Sequence, residues 1–354
     1  MLSLFVSLFL CVVVVFLFRN FTSLAQDLPE GGPQKFHRRP TPRLGGIGVV
    51  AGSLLAPVYF FLDSEVYIKE LILLFLASLP VFLAGLIEDF TKSFGWRGRT
   101  LLIALGALLS IILLDARVVR TDLPYVDYLF QFWLFSAVFT VVALIGMTNA
   151  INIIDGFNGL ASMVSILMFL AFGFVAYKVE DNFLALLCLV MTGALFGFFL
   201  LNYPRGLIFL GDGGAYFTGF VLGLVGILLV KRHVEVSAWL PVVVCIYPAF
   251  EVLFSMYRKA ILRKMSPFLP DGLHLHMLFY KRLTKLLLGA GADKLKRNAA
   301  TSPFLWFLCS LGVVPGVLWW NSTPQLLVSA FSFALVYLFL YWRVLIRKPP
   351  SWAR

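Results

Sequence analysis

The chain has 354 residues, of which 60% are hydrophobic and only 13% charged, and its mean hydropathy is +0.92. That composition excludes a soluble globular domain and describes a polytopic membrane protein, all-α, whose core is a helix bundle in lipid. The formal charge, 29 − 18 = +11, would suggest a nucleic-acid partner on a soluble protein; here it reads as positive-inside loops, anionic membrane lipid and phosphorylated substrates, with no nucleic acid expected.

Apolar windows of about 17–22 residues predict eleven transmembrane helices, at 2–18, 45–62, 70–88, 100–117, 129–148, 158–177, 183–201, 209–230, 237–256, 303–320 and 325–342. The first window lacks a basic leader and a small-residue cleavage site, so it reads as a retained span rather than a signal peptide. Cys11, Cys188, Cys245 and Cys309 lie inside apolar runs without ligand-like spacing and read as small core or lipid-facing residues. Gly219, Gly223 and Gly226 allow close helix approach in the eighth span. The longest polar stretch, about 257–302, is too short for a soluble domain, so residues 1–354 are expected to form one transmembrane domain with a basic loop there.

Lys and Arg gather in alternate loops: 19–44, 89–99, 149–157, 202–208, 257–302 and the tail from Trp342. The bias predicts an extracytoplasmic N-terminus and a cytoplasmic C-terminus. Lys231 and Arg232 fall on the outer side against that bias. With this orientation every cluster that could do chemistry lands at the cytoplasmic face.

The first cluster is His37-Arg38-Arg39-Pro40-Thr41-Pro42-Arg43-Leu44-Gly45-Gly46. Basic groups before paired glycines at a helix start suit an anion, although a positive-inside flank has the same charges. Glu88-Asp89 closes the third span, with Lys92, Arg97 and Arg99 after it. Adjacent carboxylates repel unless a cation or a proton sits between them; an ion-paired helix end is the plainer alternative. Asn149, Asn152 and Asp155, at spacing three, would share a helix face, with Gly156 and Gly159 freeing the backbone beside the acid. A polar seam between helices is the alternative there. In Phe209-Leu210-Gly211-Asp212-Gly213-Gly214 a carboxylate sits among glycines at the mouth of a span, with Asn202 upstream. That setting suits a hydrated Mg²⁺ carrying a phosphate-bearing substrate, or an Asp that merely caps a helix. Finally, Ser266-Pro267-Phe268-Leu269-Pro270-Asp271-Gly272-Leu273-His274-Leu275-His276 places two imidazoles in a cationic loop, suited to pyrophosphate oxygens rather than zinc. Together these are the parts for phosphoryl transfer between a water-soluble donor and a lipid acceptor.

Five stretches, in this order, resemble the motifs of the polyprenyl-phosphate N-acetylhexosamine-1-phosphate transferases: TPRLGG, ED for the usual DD, NAINIIDGFNGL for NxxNxxDGxDGL, FLGDGGAY for FxGDxGS, and SPFLPDGLHLH for the SPF…HIHH loop. The resemblance implies a Mg²⁺-dependent enzyme of the bacterial inner (cytoplasmic) membrane, Mn²⁺ being a second candidate ion. It implies transfer of a sugar 1-phosphate from a UDP-N-acetylhexosamine to undecaprenyl phosphate, giving lipid-diphosphate-sugar and UMP. By the same resemblance Asp89, Asp155, Asp212 and His274 form the catalytic set, with Asp212 and Asp155 at the metal. Asp89 would act on the lipid phosphate, with Glu88 in support and paired to Lys92. Asp155, Asn152, Asn202 and Phe209 would help hold the uridine nucleotide, Phe209 stacking on uracil, His274 and His276 would contact the diphosphate, and Arg43, Glu88 and Asn158 would also bind substrate. Glu88, Asn158 and Met277 depart from the family's Asp, Asp and His. Thr41-Pro42-Arg43 is similar to the branch that starts O-antigen and related surface polysaccharides; the peptidoglycan lipid I enzyme, with the same chemistry, is the alternative. A transporter or flippase, and a lipid-binding scaffold, are the rival classes. Oligomeric state, a homodimer included, is left open.

Overall fold

The computed structural model describes residues 1–20, 25–27, 40–61, 65–264, 272–289 and 291–346. Long apolar runs in lipid must satisfy their own backbone groups, and among the described residues they do so as helices. The chain runs through α1 (Leu2–Asn20), a short antiparallel ladder of β1 (Gln26–Asp27) on β2 (Thr41–Pro42), α2 (Gly45–Phe61), α3 (Glu65–Thr91) and α4 (Trp96–Leu114). It continues with α5 (Pro124–Phe130), α6 (Trp133–Ile154), α7 (Leu160–Lys178), α8 (Asn182–Asn202) and α9 (Gly211–Arg232). The last third holds α10 (Leu240–Val244), α11 (Ile246–Tyr257), α12 (Leu275–Leu278), α13 (Thr284–Leu288), α14 (Lys294–Leu318) and α15 (Thr323–Ile346).

Eight of these helices are long and apolar enough to cross a membrane: α3, α4, α6, α7, α8, α9, α14 and α15. α1 and α2 are shorter apolar helices at the first two predicted positions. The ninth predicted span, 237–256, differs: it is the broken pair α10 and α11, parted at Cys245. Pro248 explains the break, since it lacks an N–H and its ring crowds the carbonyl four residues back, at Val244. The polar stretch after 257 also differs from a plain loop. Its described residues hold α12, α13 and two π-helical turns, and α14 begins at Lys294 rather than at 303. Asp293 starts that helix early by accepting the Leu295 N–H at 2.6 Å.

The bundle is wrapped around α9, which is 94% buried over its span. A helix apolar on every face can be buried on every face, and α9 packs on α2, α3, α6, α7 and α10. Its glycines let the neighbours in: Gly219 abuts the α6 backbone at Met147 and Thr148, Gly223 meets Leu144, and Gly226 meets Pro241. The four cysteines are free and buried.

At the end of the bundle where α9 finishes, charges pair off. Arg232 meets Glu70 at 3.0 Å and Asp181 at 3.4 Å, His233 meets Asp181 at 3.1 Å, and Lys231 pairs with Asp115. Arg120 donates to the carbonyls of Val230, His233, Val234 and Val236 and pairs with Asp122. Lys231 and Arg232 thus have acids beside them, which a count of loop charges does not register.

Candidate active site

The opposite end gathers the start of α2, the end of α3, the start of α4, the end of α6 and the start of α9. Thr41 to Gly46 lies along the strand-like run into α9. Phe209 donates its N–H to the Pro42 carbonyl at 2.8 Å, and Gly45 and Gly46 donate to the carbonyls of Phe209 and Leu210 at 2.9 Å. Gly211 turns the chain into α9 with φ of +77°, and a Cβ there would lie 2.0 Å from the Arg43 carbonyl oxygen; only glycine suits both demands. Gly85 brings α3 onto the same turn, where a Cβ would stand 2.3 Å from the Asp212 carbonyl carbon.

Asp212 is the point on which the side chains converge. Its Oδ1 accepts from Arg43 and from Asn152, each at 3.0 Å, and its Oδ2 lies 3.4 Å from Arg99. Those donors come from the β2–α2 link, α6 and α4. Arg43 also reaches Asp89, Nε to Oδ1, at 3.4 Å. Burial pulls the Arg43 guanidinium pKa down, but the fields of Asp212, Asp89, Asp27 and Asp155 outweigh it and hold the value above that of an ordinary arginine.

Asp89 is only 1% exposed. Its two oxygens accept the N–H groups of Asp212 and Gly213, both at 2.9 Å. A carboxylate of α3 therefore caps α9, where unpaired donors and the helix dipole favour an anion. The oxygens of Asp89, the acid expected to act on the lipid phosphate, thus meet α9 and Arg43 in this structure. The neighbouring Glu88 is half-buried, and its Oε2 is buried without a hydrogen-bond partner among the described residues. It lies in the fields of Arg99, Asp212 and Arg43. The Glu88–Lys92 pairing assumed a continuing helix, whereas α3 ends at Thr91 and Lys92 takes a left-handed φ of 53°.

Of the three residues expected on one face of α6, Asn152 reaches Asp212, while Asn149 turns back to the Ile145 carbonyl at 2.8 Å. Asp155 stands just past the helix end. Burial raises its carboxyl to about 7, with Asp212 adding to the shift and Arg43 opposing it. Asn202, expected at the nucleotide, and Asn158, expected to bind substrate, meet backbone with their amides. Asn158 Nδ2 donates to the Pro204 carbonyl at 3.0 Å, and the Asn158 N–H donates to Asn298 Oδ1 at 2.9 Å. Asn202 accepts from the Gly159 N–H at 2.5 Å and donates to Ile208 at 2.7 Å. Both side chains thereby brace the loops beside the site. Phe209 is half-buried, and its backbone is held by the bonds to Pro42 and Gly45.

His274 and His276 sit beside the α6–α7 loop, their rings parallel within 6° and 5.3 Å apart. His276 is fully buried against Phe157, and neither ring nitrogen has a partner among the described residues. Burial lowers its pKa to about 3, with His274 adding to the effect and Glu251 opposing it, so the ring is neutral. Residues 28–39 and 265–271, which include His37 and Asp271, lie outside the described residues.

Sequence reasoning missed Glu251, on α11. Its Oε1 accepts from His274 Nδ1 at 3.0 Å and from the Leu275 N–H at 2.9 Å, and its Oε2 accepts from the Tyr337 hydroxyl at 2.7 Å. The signal was available: it is the lone acid in the apolar run 237–256, and an ionisable group inside a span calls for a reason. An apolar groove of about 310 Å³ runs between α2, α3 and α9, lined by residues that include Val50, Leu54, Phe75, Leu79, Phe82 and Phe217.

Fold and site together define a membrane-embedded helical protein with an acid and arginine centre at one end. The family model for glycosyl transferase family 4 matches residues 71–230, from α3 through α9, and over that stretch the polytopic chain is similar to that family. A Bacillus subtilis (strain 168) protein named as a probable undecaprenyl-phosphate N-acetylglucosaminyl 1-phosphate transferase is 28% identical over 258 residues, 71% of this chain and 68% of that protein. The Thermotoga maritima undecaprenyl-phosphate alpha-N-acetylglucosaminyl 1-phosphate transferase is 26% identical over 270 residues, 75% of this chain and 77% of its own length. The phospho-N-acetylmuramoyl-pentapeptide-transferase of Latilactobacillus sakei is 26% identical over 264 residues, 70% of this chain and 81% of its own.

Proposed function

We propose that the protein transfers a sugar 1-phosphate from a UDP-N-acetylhexosamine to undecaprenyl phosphate, at the cytoplasmic face of a bacterial inner membrane. The acceptor's phosphate oxygen bonds to the sugar-bearing β-phosphorus. The α–β bridge P–O bond breaks, and its electron pair leaves with UMP. The observation that carries this reading is the convergence of Arg43, Arg99 and Asn152 on Asp212, beside a buried Glu88 oxygen with no partner among the described residues. The relatives' names support it.

A hydrated divalent ion takes one or two carboxylates and fills its shell with water and substrate oxygens. The described residues hold no group of three His, Cys, Asp or Glu able to bind a metal unaided. They do offer Asp212 with Asp155 and Glu88 in its field, and the unpartnered Glu88 oxygen fits a cation. Asp212 and Asp155 would hold Mg²⁺, which supplies charge neutralisation at the diphosphate when bound. Arg43 and Arg99 answer the remaining phosphate charge. Glu88, the acid with an oxygen to spare, faces the acceptor phosphate, while Asp89 holds α9 and hence Asp212 in place. Neutral His276 donates one ring N–H to a diphosphate oxygen, and Phe209 offers its ring to the base. The groove between α2, α3 and α9, whose Phe82 lies about two turns before Asp89, gives the acceptor's hydrocarbon an apolar bed. The test is transfer of label from UDP-N-acetylglucosamine into an undecaprenyl-diphosphate product. Uptake of the intact nucleotide sugar into proteoliposomes, without product, would replace this reading with transport.

A further inference from the structure

Glu251 has no part in the account so far, yet it is one of the most completely bonded groups in the molecule. It sits on α11 with 1% exposure. An acid buried that deeply is costly unless its oxygens are met by donors, and three donors meet them. Two of the three, His274 Nδ1 and the Leu275 N–H, share Oε1, so one oxygen fixes both a ring and the backbone that enters α12. The third, Tyr337, fixes the carboxylate from α15, and its ring packs 4.8 Å from Phe250. A carboxylate acceptor places the His274 proton on Nδ1 and so selects the tautomer. His276 follows two residues later, parallel to His274, with two buried nitrogens beside Gly156 and Phe157 that have no partner among the described residues. Buried polar atoms without partners call for an explanation, and a ligand group at this spot supplies one.

We propose that Glu251 is a positioning residue of the transfer site: through His274 and the Leu275 N–H it sets the histidine pair so that His276 addresses the donor's diphosphate. The proposal rests on the transferase reading above. It parallels Asp89, since in each case an acid of one helix accepts backbone N–H groups of the segment that carries a site residue.

The test is a double-mutant cycle on the purified full-length protein, with UDP-N-acetylglucosamine, undecaprenyl phosphate and saturating Mg²⁺. Glu251→Gln keeps the shape and an acceptor oxygen but removes the charge. It is expected to lower kcat/KM for the donor by about 10- to 100-fold, as for carboxylates that orient imidazoles at metal centres. In a His274→Ala background the same change is expected to cost no more than about twofold, because the path through His274 is already cut. Equal losses in both backgrounds would overturn the proposal, as would undiminished kcat/KM in Glu251→Gln. A second readout needs no turnover: the nitrogen-15 spectrum of the wild-type histidines, with His274 assigned from the His274→Ala variant. The expected result is a proton on Nδ1 of His274 that is lost from that nitrogen in Glu251→Ala; a wild-type ring protonated on Nε2 alone contradicts the proposal. A wild-type protein inactive on every UDP-N-acetylhexosamine would remove the transferase reading, and the nitrogen spectrum would still decide whether Glu251 sets the ring.

Discussion

Asp212 accepts from two side chains at one oxygen and faces Arg99 at the other, so Asp212→Asn removes charge at the centre of a cationic pocket while barely altering volume. We expect Mg²⁺-dependent turnover to fall by at least ~10²-fold, the scale of a lost charge-stabilising group, with membrane insertion intact. The adjacent acids should then separate by what each loses. Asp89→Asn cannot accept two backbone N–H groups through two oxygens, so α9 loses part of its cap, at a cost of about 1–2 kcal/mol, and thermal stability and activity should fall together. Glu88→Gln disturbs no bonded cap, so activity should fall at an unchanged melting temperature. A stable Asp89→Asn with only a catalytic defect would return the substrate-facing role to Asp89. Asp155 adds a pH dependence. Its carboxyl is raised to about 7, so below that pH it is protonated and must lose its proton to bind a cation. Apparent Mg²⁺ affinity should therefore weaken as pH falls through about 7, by at most ~10-fold per unit for one proton. Calorimetric titration at pH 6 and 8 in buffers of different ionisation enthalpy checks both the affinity and the proton released.

Between elements, the decisive contact is α3 on α9. Gly85 lies against the Asp212 backbone and Asp89 caps the same turn. In Gly85→Ala a methyl group would stand where backbone now sits, so the helices must part. We expect ~1–3 kcal/mol of destabilisation and a larger loss of activity than for an Ala substitution at an exposed position of α3 outside the groove, such as Leu83. An undisturbed melting temperature would mean that the two helices do not meet this way. The spans were legible in the sequence because apolar runs this long have few alternatives in lipid. The site's location was legible as well, because glycine-flanked acids and amides cluster in alternate loops. Three features were not. Pro248 splits the ninth span, and hydropathy counts proline as an ordinary member of the run. The bonds from Asp89 to α9 were hidden too, because a neighbour's N-terminus, absent from the local sequence, meets its two oxygens. Asn158 and Asn202 looked like ligands for a substrate, but their amides meet the backbone of loops that only the folded chain brings near.

For the whole molecule, the two ends have different charge chemistry. One carries a ring of paired ions around Arg120, Asp122, Asp181 and Arg232; the other carries the acids and arginines of the site. Arg120 serves four carbonyls, so Arg120→Ala should destabilise by ~1–3 kcal/mol and leave donor KM unchanged, its position being at the far end. Single cysteines at Lys92, Arg205 and Lys281, which are exposed at the site end, should be blocked only by permeant reagents in intact cells. Cysteines at Glu180 and Val234 should be labelled from outside. The native cysteines are buried, which keeps the background low, and reversal of this pattern would place the site on the wrong side of the membrane for a cytoplasmic nucleotide sugar. The central claim is the transfer itself. Purified protein, undecaprenyl phosphate, Mg²⁺ and UDP-N-acetylglucosamine labelled in the sugar should give a lipid-diphosphate-sugar and UMP in equal amounts, and Asp212→Asn should give neither. Contradiction would be the absence of product with every UDP-N-acetylhexosamine tried, or product formed undiminished by the Asp212 variant.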